Sequence, residues 1–195
     1  MNEMKSAWEK AMEKAEKLGK PTDDELKQLE YVPQGNALAA KYLQEGVVDL
    51  NAELTKHKGT GIRQYILLGI QETLLRNISL PHNDHDKQVT LKAMNGIKVI
   101  KENVKQLEVI YERINNLLSY YEQARTQAFN QFKSNFESKI QDLSKTLQQR
   151  AGATANLEAQ IQLQFQEEWR RASSELDRQY EKTLEEHKQQ IVNLS

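Results

Sequence analysis

Cysteine is absent from the 195 residues, which excludes disulfide bridges, thiolate nucleophiles and thiolate-bound metals and fits a reducing compartment. Helix breakers are scarce as well, with three prolines and eight glycines. Charge of one sign is lacking too: 27 Lys and Arg stand against 28 Asp and Glu, a formal net charge of −1. Such a chain has no global field to gather nucleic acid or an anionic membrane. The most apolar run, Ile66-Leu67-Leu68-Gly69-Ile70, falls far short of the ~20 residues that cross a bilayer. The opening stretch MNEMKSAWEKAMEKAEK has no apolar signal-peptide core. The expectation is a cytoplasmic protein with no nucleic-acid or membrane partner.

What is present is charge and helical period. Apolar residues make up 38% and charged residues 28%, a balance suited to long, solvent-washed helices. Met4, Trp8, Ala11, Ala15 and Leu18 form one helical stripe. Thr22 and Glu25 have capping-box spacing, which predicts a short helix to about Glu30. Pro33 disfavours helix at the residue before it, so Tyr31 to Gly35 reads as a break, with a further helix from near Asn36 to about Gly46. A short helix from Asp49 and a strongly apolar one from Ile62 to Ile78 complete an N-terminal helical cluster over 1–80. Gly69, which costs ~1 kcal/mol against Ala inside a helix, is expected there only if it permits a close helix contact.

Residues 81–195 read as a long helical hairpin. Ile97, Ile100, Val104, Leu107, Tyr111, Ile114, Leu118 and Tyr121 keep three-four heptad spacing, the pattern of a coiled seam. The stripe resumes as Ala124, Ala128, Phe132, Phe136 and Ile140 with a longer period. One helix is expected over about 85–150, a turn within 150–163 near Gly152, and a second helix to about 192. Leu157 to Phe165 alternates like a strand and also fits a helical stripe, so periodicity leaves both open. A tight turn pairs Phe132 with Ala172 and Ala124 with Tyr180; an extended loop pairs Ile140 with Ala172. A single continuous helix is the rival, since no proline interrupts it.

The segments Leu29 to Gly35 (LEYVPQG) and Gln164 to Arg171 (QFQEEWRR) resemble parts of an uncharacterised bacterial all-helical family, a domain of unknown function. The resemblance implies a bacterial cytosolic setting. It brings no activity, cofactor or site residue.

Few residues invite chemistry. Lys56-His57-Lys58-Gly59-Thr60-Gly61-Ile62-Arg63 has neither the Walker nor the dinucleotide-loop spacing. Its residues suit a joint: Lys56 and Lys58 at a helix end, Gly59 just past it and Thr60 capping the next helix. What survives is a weak anion site at Lys56, Lys58, Thr60 and Arg63. His82 and His85, with Asp84 and Asp86, are metal-ligand types on one local segment that lacks further ligands; a capping segment is the better reading. No Gly-x-Ser-x-Gly elbow exists. Ile110, Leu117, Tyr120 and Phe129 lie off the main seam and are the expected interface. The sequence thus predicts an all-α, non-enzymatic interaction or scaffolding protein without a cofactor, self-associating through coiled-coil faces. A stalk or adaptor subunit of a larger assembly, or a weak anion or metal binder, are the alternatives.

Overall fold

The computed structural model describes residues 21–45, 48–147 and 154–194. The expected stripe at 4–18, the helix end near Gly46 and the Gly152 turn lie outside them. The described chain is all-α, with six helices and no strand: α1 (Asp23–Glu45), α2 (Leu50–Lys56), α3 (Arg63–Arg76), α4 (Asp84–Ile100), α5 (Val104–Leu147) and α6 (Thr154–Val192). They fall into two compact units, divided between Arg76 and Asn77.

In the first unit, α1 starts on the expected capping box. The Glu25 N–H donates to the Thr22 hydroxyl at 3.2 Å, and the Thr22 N–H donates to the Glu25 carboxylate at 2.7 Å. The expected break at 31–35 is absent, because α1 runs unbroken for 23 residues with Pro33 inside it. Proline removes the hydrogen bond to the Leu29 carbonyl and costs roughly 3 kcal/mol in a helix interior. Two conditions offset that cost. Leu29 and Pro33 are exposed, so water can serve the freed carbonyl. The following turn is clamped against α3, where a methyl on Gly35 would lie 2.1 Å from the Ile66 carbonyl oxygen and one on Gly69 would lie 2.1 Å from that of Val32. Only residues without a side chain permit this approach, and Gly69 plays the part its position suggests. Thr73 donates to the Asn36 side chain at 3.0 Å beside the crossing, and Ala39, Ile66, Ile70 and Leu74 are buried.

The second unit opens on a segment pinned by Thr90 of α4. Its hydroxyl, only 1% exposed, accepts from the Ser79 N–H at 3.2 Å and meets the Ser79 carbonyl at the same distance. The helix expected over 85–150 is two helices. Lys101 is extended (φ −98°, ψ 137°), and Asn103 caps α5 by accepting from the Gln106 N–H at 3.3 Å while its amide donates to the Gln106 side chain at 2.9 Å. The chain therefore doubles back. The Tyr111 hydroxyl donates to the Met94 carbonyl at 2.6 Å, Lys98 pairs with Glu108 at 3.6 Å and Lys87 with Glu122 at 2.8 Å, contacts that only antiparallel helices make.

α5, of 44 residues, is roughly 66 Å long at 1.5 Å per residue. α6 runs back along it: Lys101, just before α5, donates to the Val192 carbonyl at 3.4 Å and to that of Leu194. The Tyr121 hydroxyl donates to Asp177 at 2.6 Å, and Phe136 meets Phe165 at 5.1 Å between ring centres. This excludes one continuous helix, and residues 157–165 are helical. Phe132 packs on Phe165 and Trp169, and Tyr180 on Tyr121, while Ala172 is exposed. Against the tight-turn pairing the register is offset by about one helical turn, and further from the extended-loop pairing. The offset gathers Phe129, Phe132, Phe136, Phe165 and Trp169 into one ring cluster, which buries more apolar area than pairing Phe132 with Ala172.

Candidate functional site

Two concavities stand out, one in each unit. In the first unit the α1–α3 crossing leaves a groove of about 620 Å³ beside the proline, lined by Pro21, Glu25, Gln28, Leu29, Val32, Pro33, Leu68 and Glu72. Leu29 is 73% exposed and Leu68 38%. Among the described residues α1 is exposed throughout its first turns, from Asp23 to Glu30. Elsewhere between α1 and α3 the Tyr65 hydroxyl donates to Asp24. That bond, together with burial, raises the Tyr65 hydroxyl above the ordinary value of 10, because ionising it would place a second anion beside the carboxylate.

The second concavity, about 460 Å³, lies where α4 begins and α5 continues beyond it. Asn83 caps α4 by accepting from the Asp86 N–H at 2.9 Å, and the Asp86 carboxylate accepts from the His82 N–H at 3.0 Å. Behind them Tyr121 is fully buried, donating to Asp177 at 2.6 Å and stacking edge-on against Tyr180 at 5.3 Å. Burial, then the Asp177 bond, raises the Tyr121 hydroxyl far above the ordinary tyrosine range, although Arg125 beside it pulls the other way. Arg125 also donates to His82 Nδ1. Lys87 is shared between Glu122 at 2.8 Å and Asp84 at 3.7 Å, contacts that raise its ammonium above the ordinary lysine value. Phe129 and Trp169, 5.0 Å apart and tilted by 77°, form the apolar wall.

The residues singled out in the sequence are scattered over other roles. In the joint, Lys56 pairs with Glu53 at 2.7 Å, Gly59 takes the left-handed φ of 79°, and Lys58 and Arg63 are exposed. Thr60 does not cap α3; its hydroxyl donates to the His57 carbonyl at 2.6 Å. The four residues converge on no pocket among the described ones. His82 lines the second cleft with its Nδ1 against a guanidinium, a poor setting for a cation, while His85 is exposed. No group of three or more His, Asp or Glu among the described residues is placed to hold a metal.

Of the expected interface, Ile110 is buried at 6% exposure, in the stretch that α4 runs beside. Leu117 is half-buried, Tyr120 is 64% exposed, and Phe129 is held edge-on by Phe165 and Trp169. Tyr121 reads in the sequence as a seam residue and Leu29 only as part of a resemblance, and neither they nor Arg125 stand out as site residues. The one signal was the crowding of Pro33 and Gly35 beside Leu29. No described helix is long and apolar enough to cross a membrane.

The model of a family of unknown function (DUF6657) matches residues 51–193, so the chain belongs to that family. The match includes Gln164 to Arg171 and leaves out Leu29 to Gly35, and with it α1. No curated protein and no solved structure matches the chain.

Proposed function

We propose that this is a non-enzymatic helical interaction protein that pairs with a second copy of itself through the α1–α3 groove. One observation carries the reading: a groove of about 620 Å³ with Leu29 73% exposed on its wall and Leu68, Val32 and Pro33 beside it. A contiguous apolar concavity of this kind marks an interaction surface, whereas single exposed leucines do not. The patch offers a ridge, Leu29, and a hollow next to it. A two-fold axis lets each ridge enter the other copy's hollow, the self-complementary arrangement of the commonest oligomers.

The reading needs no cofactor, and a bacterial cytosol suits it, on the absence of cysteine and the resemblance noted above. Light scattering across a concentration series tests it. The parent chain shifts from monomer to dimer mass with rising concentration, and Leu29→Glu stays monomeric. A parent that remains monomeric throughout contradicts the proposal.

A second reading, a stalk or adaptor in a larger assembly, is favoured by the part of the α5–α6 pair beyond α4. There α5 and α6 are the described helices, and Leu163 on α6 is 59% exposed, open to a partner.

A further inference from the structure

The cleft at the start of α4 has a feature that self-association does not use. Arg125 faces it, and among the described residues its polar contacts are with His82 Nδ1 and the Tyr121 hydroxyl. Its neighbouring cation, Lys87, is already shared by Glu122 and Asp84. At the start of α4 the Asp86 N–H is taken by Asn83, and the His82 N–H just before the helix by Asp86. Arg125, which has no carboxylate ion-pair partner among the described residues, is thus placed to receive an anion, and its planar fork suits a carboxylate.

Beside it, Phe129 remains 36% exposed although it packs on both Trp169 and Phe165, and the two rings on the wall offer an apolar body a place to lie. The volume, about 460 Å³, is within the range of small-molecule sites. Glu122 and Asp84 at the same cleft oppose a multiply charged phosphate and tolerate a single negative charge held at Arg125.

We propose that this cleft binds a small organic monocarboxylate with an apolar body, its carboxylate on Arg125 and its body against Phe129 and Trp169. The inference is independent of the self-association reading.

The test is calorimetric titration of the full chain with 3-phenylpropionate and, separately, with 3-phenylpropionamide, which has the same body without the charge. A ligand of this size is expected to bind with a Kd on the order of a millimolar, and the amide at least about tenfold more weakly. Arg125→Gln should lose about tenfold or more for the acid, Arg125→Lys should fall between, and Arg178→Gln, exposed on α6 and paired with Glu175 at 3.2 Å, should match the parent. Acid and amide binding alike, no saturable heat from the acid, or unchanged binding in both Arg125 variants would each overturn the proposal. Should Arg125→Gln fail to fold, the acid-against-amide comparison on the parent decides.

Discussion

Gly69 of α3 lies so close to Val32 of α1 that a methyl group on it would sit 2.1 Å from the Val32 carbonyl oxygen. The contact falls one residue before Pro33, so the tightest approach between the two helices borders the weakest point of α1. Close packing across the crossing holds α1 helical through a residue that ordinarily ends a helix.

Gly69→Ala and Gly35→Ala should therefore destabilise the protein, although alanine is the better helix former by ~1 kcal/mol. The new methyl meets backbone, which cannot swing away, and overpacking costs about 1–3 kcal/mol or more. Gly61→Ala, whose methyl would meet nothing within 4 Å, is the control and should leave the denaturation midpoint nearly unchanged. Chemical denaturation of the three variants gives the comparison; equal midpoints would mean the crossing is looser than described.

Thr90→Val keeps the shape of the side chain and removes the hydroxyl that serves the Ser79 N–H. Losing the partner of this part-buried donor should cost about 1 kcal/mol. Thr90→Ser keeps the hydroxyl and should recover most of the loss. Hydrogen exchange at the Ser79 amide is the local readout, accelerated in the valine variant and protected in the serine one.

The capping box gives α1 an acid-dependent start. Thr22, through its backbone N–H and then its hydroxyl, holds the Glu25 carboxyl below its ordinary value of 4.5. The folded chain then binds fewer protons than the unfolded chain at acid pH, so the contribution is present above about 4.5 and is lost as pH falls through the lowered value. Glu25→Gln keeps a hydrogen-bonding group without the charge. Its melting temperature should lie below that of the parent at pH 7 and converge with it in acid; a gap that does not change with pH contradicts the assignment.

The register between α5 and α6 can be checked energetically. Phe136 is 6% exposed and meets Phe165 edge-on at 5.1 Å. Phe136→Ala should cost about 3–5 kcal/mol, and a double-mutant cycle with Phe165→Ala should show coupling of about 0.5–1.5 kcal/mol. A cycle between Phe132 and exposed Ala172, the pair of the tight-turn reading, should show none.

The sequence announced local features well and long-range compensation poorly. The Thr22–Glu25 box, the reversal at Gly59 and the packing role of Gly69 were legible, because each depends on residues a few positions apart or on one missing side chain. Pro33 misled because its cost is local, whereas the clamp that offsets it is made with α3 some thirty residues on. The break at 101–103 had a signal, Asn103 and Gln106 at capping-box spacing, but the stripe from Ile100 to Val104 continues across it at helical spacing and hides it. Once α4 folds back on α5, Ile110 ceases to be an open face.

The candidate sites were harder to read. His82 drew notice as a metal ligand, yet its neighbours Tyr121 and Arg125 come from some forty residues away. The register depended on which aromatic rings could cluster, and a stripe alone does not specify that.

The most direct test of the account is the sedimentation equilibrium mass of three proteins at matched concentration: the parent, Leu29→Glu in the α1–α3 groove, and Tyr120→Glu on the exposed face of α5. The account predicts dimers for the parent and Tyr120→Glu, and a monomer of unchanged helix content for Leu29→Glu. A dimer that survives Leu29→Glu and separates with Tyr120→Glu would contradict it, placing the interface on α5 instead.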